Sequence, residues 1–437
     1  MKKRGFGGRI PTLLFLAFLS GLPPSGVEAQ ETSVLTLREV LAEARERNQR
    51  LRGSEALVDA AGAREPGAGW LPDPMLRVGA MNLTFPGLSA TMPASMAPAI
   101  EAMQVIPFPG KLHLQGEIAK QATAAEQTAA AGVWWEVRVG AAAAFYRLFE
   151  TDRRIGVMQK TLGLLRDFQQ VANSMYGAGT GRQTDVLRAN VETARMEAEI
   201  RQMEAMRRAT AAALNAVLDR PADTPVGAPV LDPLPGSVPS QDTLRAWAVE
   251  GTPLLANMRI QLGTAALRRE LAGKEIWPDF TVGLQYGLGR MGADRQGMAG
   301  AMVGFSIPVF AGKRQLKARD EAAAMERLAQ ADLNGGVAQV DAAIGAALAE
   351  LDRARTLLGL YREEILPQAA AAVESSFSSY RVGAVDFLTL LDAQMAVNRF
   401  EGEYYSLMAS YGTALAQLET TVGRELPFSD ALPMEDR

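Results

Sequence analysis

Two kinds of hydrophobic pattern alternate along the chain, and each predicts a different element. Long stretches rich in Ala, Glu, Gln, Arg and Leu, which are good helix formers, predict long helices over residues 111–175 and 313–379. Each would be on the order of 100 Å long at a rise of about 1.5 Å per residue. Because no compact core can surround such a helix, we expect these helices to lie side by side in a coiled coil or a cylinder of helices.

Four short segments show the alternation of apolar with small or polar residues that is typical of a strand with one apolar face. They are residues 76–80, 100–106, 280–288 and 303–309, of which 100–106 is the weakest. We expect them to form two hairpins, about 75–107 and about 280–309. Taken alone, such hairpins are more typical of a half-buried sheet in a soluble protein.

The plan of the chain is repeated once. Four short matches occur in the same order at nearly one offset, which indicates an internal duplication. The matches are Trp70-Leu71-Pro72-Asp73 with Trp277-Pro278-Asp279, Pro109-Gly110-Lys111 with Ala311-Gly312-Lys313, Tyr176–Gly179 with Tyr380–Gly383, and Leu187–Asn190 with Leu391–Gln394. Gly163 and Pro367 occupy equivalent places in the two long helices, so we expect a weak point in the middle of each.

Each half is predicted to contain a helix, a strand hairpin, a long helix, a turn with glycine and a shorter helix. The shorter helices are expected over residues 183–219 and 386–422. Between the halves, six prolines from Pro221 to Pro239 exclude a regular helix. The expected divisions are a signal peptide at 1–29, a first repeat at 30–219, a proline-rich connector at 220–250, a second repeat at 251–422 and a C-terminal tail at 423–437.

The N-terminus has the features of an export signal. A basic segment that contains Lys2, Lys3, Arg4 and Arg9 precedes the apolar run Leu13–Leu19, which is too short to span a bilayer. Val27 and Ala29 stand at the positions that a signal peptidase recognises, so we expect cleavage after Ala29. Because the chain has no cysteine, we expect no lipid at the mature N-terminus.

Composition excludes several classes of chemistry. The 437 residues include no cysteine and one histidine, His113, so cysteine-ligated zinc, iron–sulfur clusters and thiol nucleophiles are absent. The net charge of −4 comes from mixed basic and acidic residues and provides no basic surface for nucleic acid. No nucleophile–base pair is visible either. We therefore expect no enzymatic activity and no cofactor.

The strands decide how the chain could cross a membrane. After the signal peptide the sequence contains no run of about 20 apolar residues, so an exported chain of this kind can span a bilayer only as a β-barrel. Four strands cannot close alone, whereas two copies would supply eight strands and three copies twelve. A pore that continues into a helical tunnel favours the larger number, and we expect a homotrimer.

At this point the sequence resembles the TolC family of outer-membrane efflux proteins. The resemblance lies in the duplicated Tyr-x-x-Gly…Leu-x-Ala-(Asn/Gln) turns, Tyr176 to Asn190 and Tyr380 to Gln394, and in the junctions that end in Gly110-Lys111 and Gly312-Lys313. It implies a mainly α protein with a small β part. Three copies would form a 12-stranded outer-membrane β-barrel, with four strands per protomer, continued by a periplasmic α-helical barrel. The implied partners are outer-membrane lipid, a periplasmic membrane-fusion adaptor and an inner-membrane RND-type pump.

Two shorter segments resemble the heavy-metal (CzcC/CusC-like) branch of that family. They are Leu71–Met75 and Ile106–Lys111. The resemblance therefore implies a passive exit duct for heavy-metal cations in a tripartite efflux system. Drug or small-molecule efflux and type I secretion are alternatives within the same class. A trimeric periplasmic coiled-coil spacer or adhesin is the alternative outside it, but that class does not explain the two hairpins.

The resemblance also implies two functional regions. The turns Gly177-Ala178-Gly179 and Val382-Gly383-Ala384 are candidates for the tips that dock the adaptor, because glycine permits a tight reversal and a close approach by a partner. Asp185 and Asp392 are candidates for a periplasmic gate, where three copies of each would form carboxylate rings around the axis. Each of these residues could equally be an ordinary residue of a turn or of a helix surface.

Methionines are the remaining candidates. Met75, Met81, Met92, Met96 and Met103 cluster around the first hairpin, and thioethers suit Cu(I) and other soft ions. Methionine also fills irregular apolar spaces, so we regard Met81, Met92, Met96 and Met103 only as weak metal candidates.

Overall fold

The structure is a computed structural model that describes residues 34–81, 97–291 and 294–427. The predicted signal peptide and residues 428–437 of the predicted tail lie outside this part of the chain. The helices of the first half are α1 (Leu37–Arg47), α2 (Gln49–Ala68), α3 (Lys111–Gly177) and α4 (Gln183–Val217). Those of the second half are α5 (Gln241–Gly251), α6 (Pro253–Lys274), α7 (Gln315–Leu360), α8 (Leu366–Arg381) and α9 (Phe387–Val422).

The strands are β1 (Met75–Met81), β2 (Ala97–Ile106), β3 (Phe280–Met291) and β4 (Asp294–Phe305). They form one antiparallel sheet in the order β1-β2-β3-β4, so each half contributes a hairpin and β2 joins β3. The expected hairpin at about 280–309 is too long at its end, because β4 stops at Phe305. Pro308, which has no amide hydrogen, follows three residues later.

The register gives the sheet two different faces. One face is apolar and exposed, and its large side chains are Leu76, Val78, Ile100, Ile106, Phe280, Val282, Leu284, Tyr286, Leu288, Val303 and Phe305. The opposite face combines small, polar and methionine residues, among them Met75, Arg77, Glu101, Met103, Thr281, Gly283, Gln285, Gly300 and Met302. The alternation seen in the sequence therefore separates an apolar face from a more polar one, which we call the wetter face.

The predicted connector at 220–250 is wrong in its last ten residues, which lie in helix α5. The Ser240 hydroxyl accepts from the Thr243 amide and caps this helix, which begins only after the last proline, Pro239. By sequence offset, α5 and α6 are the counterparts of α1 and α2. We expect one helix before the hairpin of each half, over about 36–64 and 252–276, whereas the structure has two in each place. α1 and α2 are separated at Asn48, and α6, which matches the expected helix, is preceded by α5 and separated from it at Thr252.

Both helix pairs are tied to the rest of their own half in the same way. The Asn48 side-chain amide donates to the Val217 carbonyl at 2.8 Å, at the end of α4. The Thr252 hydroxyl donates to the Thr421 carbonyl at 2.9 Å, near the end of α9. The two contacts join equivalent positions, so this part of the structure occurs once in each half.

The two long helices differ. α3 runs for 67 residues and passes Gly163 without a break. The predicted helix 313–379 instead begins at Gln315 and is divided by a π-helical turn, Tyr361–Ile365. Pro367 explains the division, because it cannot donate to the carbonyl four residues earlier and its ring crowds that carbonyl. The Leu366 amide accordingly bonds to Tyr361 in the wider π pattern, so the expected weak point exists only in the second half.

Two hydrophobic cores hold the helices. The larger one joins α1, α3, α4, α5, α6, α7 and α9 with the proline-rich connector, which contributes the buried Leu234. The smaller one lies near the ends of the helical hairpins, where α3 and α4 pack with α8 and α9. Within the described residues, no helix has both the length and the hydropathy required to cross a lipid bilayer.

Candidate functional site

The turn between α3 and α4 reverses the chain through a glycine. Gly179 has a φ of +73°, in the left-handed region that side chains with a Cβ disfavour. Its amide donates to the Tyr176 carbonyl, and the Thr180 amide donates to the Met175 carbonyl at 2.9 Å. This is the Schellman arrangement that closes a helix C-terminus. The predicted tip residues Gly177, Ala178 and Gly179 are all exposed.

The turn between α8 and α9 repeats that geometry. Gly383 has a φ of +72° and donates to the Tyr380 carbonyl, while the Ala384 amide donates to Ser379. Val382 is 80% exposed, although it is a medium-sized apolar residue at the end of a helix. Gly383 and Ala384 are exposed as well. Both turns therefore present backbone and small or apolar side chains to the surroundings.

One hydrophobic cluster supports both turns. The rings of Phe168 and Phe377 lie 5.2 Å apart and join α3 to α8. The rings of Tyr380 and Phe387 meet edge to face at 5.5 Å, on either side of the second turn. Because these residues belong to one buried cluster, the two helical hairpins are packed together close to their turns.

Asp185, a predicted gate residue, lies in the first turn of α4 and is half-buried. It is near the buried Tyr380 of the other hairpin. Burial, and then the negative charge of Asp185, raise the pKa of the Tyr380 phenol to about 12. The Tyr380 hydroxyl has no hydrogen-bond partner at normal distance among the described residues. Asp392, the second predicted gate residue, is exposed, so of the two only Asp185 is partly buried.

Sequence reasoning missed Asp386, which caps α9. Its carboxylate accepts from the Thr389 amide at 3.0 Å and from the Thr389 hydroxyl at 2.6 Å. These hydrogen bonds, together with the positive charges of Arg188 and Arg182, lower the pKa of Asp386. The spacing Asp-x-x-Thr before an apolar helix is an N-cap signal that could have identified it. At the equivalent place in the first half, Arg182 precedes α4 and provides no side-chain cap.

A second structured region lies where the sheet meets the helices. The buried Lys111 ammonium donates to Asp279 Oδ1 at 2.7 Å and to the Trp277 carbonyl at 3.1 Å. The same Asp279 oxygen accepts from the Phe108 amide at 2.8 Å. Phe108 and Trp277 stack, with ring centroids 5.4 Å apart and planes inclined by 13°. This junction locks the first residue of α3 against the segment that leads into β3.

The methionine candidates are only partly within the described structure. Met92 and Met96, and the side chain of Met81, lie outside it. Met103 lies opposite Met75 and Gly283, and Gly283 lies opposite Met302, so three methionines share one row on the wetter face. Met103 and Met302 both lean over Gly283. Among the described residues no group of three or more His, Cys, Asp or Glu could hold a metal ion.

Comparison with known proteins gives a consistent result. Residues 246–424 match the family model described as outer membrane efflux protein. The cobalt-zinc-cadmium resistance protein CzcC of Cupriavidus metallidurans is 24% identical over 326 residues, which cover 72% of this chain and 75% of CzcC.

Solved structures share the fold over most of the chain. The outer membrane protein VceC of Vibrio cholerae superimposes with a TM-score of 0.75 at 17% identity, covering 89% of this chain and 96% of VceC. CusC superimposes with a TM-score of 0.76 at 16% identity, covering 89% of this chain and 92% of CusC.

These matches confirm the predicted fold class, mainly α with a small antiparallel β part. CusC, one of the matched proteins, forms a transmembrane channel. Over residues 246–424 the chain is similar to the outer membrane efflux protein family, and over most of its length it has the fold of VceC and CusC.

Proposed function

We propose that this chain forms the trimeric exit duct of a tripartite efflux system that expels heavy-metal cations. An inner-membrane RND-type pump and a periplasmic membrane-fusion adaptor would supply the energy and deliver the cargo. The observation that carries the proposal is the four-stranded sheet, which has an apolar face and a wetter face. Its edge strands β1 and β4 are unpaired in the part of the chain that the structure describes. Unpaired edges are not tolerated in lipid, so the sheet needs further copies of itself.

The two faces support a position around an aqueous pore in the outer membrane. The exposed apolar side chains of one face match the lipid-facing band of a membrane barrel. On the other face, Arg77, Glu101 and Gln285 share one row across β1, β2 and β3. Three protomers would provide twelve strands with this polar row toward the lumen. A barrel of twelve strands would be wide enough to continue into a helical tunnel.

The helical turns support docking and gating. Gly177-Ala178-Gly179 and Val382-Gly383-Ala384 are the proposed contact points of the adaptor, since both turns are exposed and lack long side chains. Asp185 and Asp392 are the proposed gate positions. Asp185 is close to Tyr380 of the other hairpin, so a movement of one hairpin against the other would change its environment.

Export would follow cleavage of the signal peptide after Ala29, and anchorage would depend on the strands, because no cysteine is available for lipidation. The proposed cargo rests on the resemblance to CzcC, a cobalt-zinc-cadmium resistance protein. The methionines of the wetter face are compatible with passage of softer cations, which include Cu(I) and Ag(I).

Deletion of the gene in its native host tests the cargo. Growth is scored on Co, Zn, Cd, Cu and Ag salts and on a panel of drugs, with the intact gene restored as the control. We expect lower tolerance to at least one metal and full recovery on complementation. Unchanged metal tolerance with increased drug sensitivity would show that the duct serves drug efflux instead. Loss of a secreted protein alone would indicate type I secretion.

A further inference from the structure

Contacts in the duplicated chain are of two kinds. Contacts within a half, such as Asn48 with Val217 and Thr252 with Thr421, occur twice. Contacts that run from the first half to the second occur once, and the Lys111–Asp279 pair is of this kind. Lys111 follows β2 of the first half, whereas Asp279 precedes β3 of the second. The reverse contact would join a residue that follows β4 of the second half to a residue that precedes β1 of a first half. The described part of a single chain does not make it.

The residues for that reverse contact are present. Lys313 is the counterpart of Lys111, and Asp73 is the counterpart of Asp279. Lys313 follows β4 and Asp73 precedes β1, which are the two edges of the sheet. Among the described residues neither side chain has an ion-pair or hydrogen-bond partner, and both are exposed, whereas Lys111 is buried.

The aromatic pair is duplicated in the same way. Phe310 stands three residues before Lys313, as Phe108 stands three before Lys111. Trp70 stands three residues before Asp73, and Trp277 two residues before Asp279. Phe108 and Trp277 stack on each other. In the single chain, Trp70 is 77% exposed and Phe310 is 69% exposed. Two large apolar side chains are thus left open beside the two unpaired charges.

The helix that follows the open copy also starts later. α3 begins at Lys111 itself, whereas α7 begins at Gln315, two residues after Lys313. The Lys111 ammonium is held by Asp279 and by the Trp277 carbonyl, so the first turn of α3 is fixed at its first residue. Lys313 has no such restraint among the described residues, and the turn that contains it is not part of α7.

We propose that Lys313 of one protomer pairs with Asp73 of the neighbouring protomer, and that Phe310 stacks on the neighbour's Trp70. The inference rests on the proposed function, because it takes the partner to be a second copy of this chain. β4 would then pair antiparallel with the neighbour's β1, as β2 pairs with β3 within the chain. A head-to-tail interface of this kind closes into a ring when every copy makes it.

Site-specific cross-linking tests the contact, because the chain has no cysteine of its own. The full-length protein is purified from outer membranes in detergent as the variant Asp73→Cys/Lys313→Cys and treated with a short bismaleimide. We expect covalent dimers and trimers on denaturing gels, and none with either single variant. The matched control is Lys111→Cys/Asp279→Cys, which should react within one chain and remain at monomer mass.

The outcomes separate this inference from the proposed function. If Asp73→Cys/Lys313→Cys cross-links only within one chain, the inference is overturned. It is also overturned if an assembled trimer shows no cross-link. Neither result contradicts the proposed trimeric duct. A wild-type protein that is monomeric in detergent would overturn the trimeric duct itself. The mass of the untreated protein by light scattering distinguishes the two cases.

Charge reversal provides a second measurement that needs no cysteine. Asp73→Lys should remove most of the trimer that light scattering measures in detergent, because it places two ammonium groups at one junction. Asp73→Lys/Lys313→Asp should restore the trimer, since it rebuilds the pair with the charges exchanged. Full trimer in the Asp73→Lys variant, or no recovery in the double variant, would contradict the pairing.

Discussion

At one buried position, the two halves of the chain use different side chains to hold the segment that follows a helix. Asn215 near the end of α4 and Glu419 near the end of α9 are equivalent, and both are buried. Asn215 donates through its neutral amide to the Thr224 carbonyl at 2.8 Å. Glu419 accepts from the Leu426 amide at 3.1 Å and, as a buried carboxylate, also needs a cation.

Arg138 of the first half supplies that cation. Its guanidinium donates to Glu419 at 2.8 Å and to Glu425 at 2.9 Å. At the position equivalent to Arg138 the second half has Ala342, and the neutral Asn215 requires no counter-charge. In both halves a buried side chain therefore bonds to the segment that follows its helix. In the second half this contact also depends on Arg138, which belongs to the first half.

Replacement of Arg138 should have the largest effect on stability. Arg138→Met leaves the Glu419 carboxylate buried and unpaired, which we expect to lower the free energy of unfolding by about 3–5 kcal/mol. The measurement is denaturant unfolding in detergent, followed by circular dichroism. Arg138→Met/Glu419→Gln should recover most of the loss, because the buried charge is removed. Arg245→Met, which breaks the more exposed pair with Asp341, should cost less than about 1 kcal/mol.

Introducing a proline into α3 at the position equivalent to Pro367 should have the next largest effect on stability. Gly163→Pro in α3 removes a helical hydrogen bond from a continuous helix and should cost about 3 kcal/mol. Gly163→Ala is the matched control and should be neutral or slightly stabilising, because nothing lies within 4 Å of an added Cβ. Thermal unfolding compares the variants, and equal stability for Gly163→Pro and Gly163→Ala would contradict the prediction.

The reciprocal change tests the cause of the π-helical turn. Pro367→Ala restores an amide donor in the second half, so we expect residues 361–365 to relax toward an α-helix with slower amide exchange. Hydrogen exchange of peptides from this segment is the measurement. If the exchange pattern does not change, another feature than Pro367 must hold the π turn.

A close helix crossing gives a smaller effect. Gly412 in α9 lies against the buried ring of Tyr146 in α3, and an added methyl group would overlap that ring. We expect Gly412→Ala to lower the free energy of unfolding by about 1–3 kcal/mol through overpacking. The equivalent first-half residue, Arg208, is exposed, so Arg208→Ala should change it little. Equal effects of the two substitutions would contradict this account of the crossing.

Much of the fold could be predicted from periodicity and duplication. The long helix expected at 111–175 coincides with α3, because helix formers run through it without a proline. The helical start of the second repeat was missed, because α5 has only 11 residues and lies outside the short matching motifs. The π turn could not be predicted, since Pro367 marks a break but does not determine which hydrogen-bond pattern replaces the α-helix.

The candidate site was predicted less completely than the fold. The turns could be located because Gly179 and Gly383 repeat the same motif and both need a positive φ. The Lys111–Asp279 pair could not be foreseen, because the two residues are far apart in sequence and only the β2–β3 pairing brings them together. Likewise, Asp185 and Tyr380 belong to different halves, and only the packing of the two hairpins makes them neighbours.

The smallest expected effect concerns the different caps at the two turns. The hydrogen bonds from Thr389 and the charges of Arg188 and Arg182 lower the pKa of Asp386 below the usual aspartate value of 3.8. A carboxylate with a lowered pKa stabilises the folded state above its ordinary pKa, and this contribution disappears as the pH falls through the lowered value. Arg182, at the equivalent place before α4, carries no carboxylate and provides no such dependence.

We therefore expect the protection of the first amides of α9 against hydrogen exchange to fall in acid, while that of the first amides of α4 changes less. Exchange is measured by mass spectrometry and corrected for the intrinsic rate at each pH. Asp386→Asn keeps a capping side chain but cannot titrate, so its α9 protection should stay level across the same range. A wild-type protein whose α9 protection is as level as that of Asp386→Asn would show that the charge of Asp386 contributes nothing to this turn.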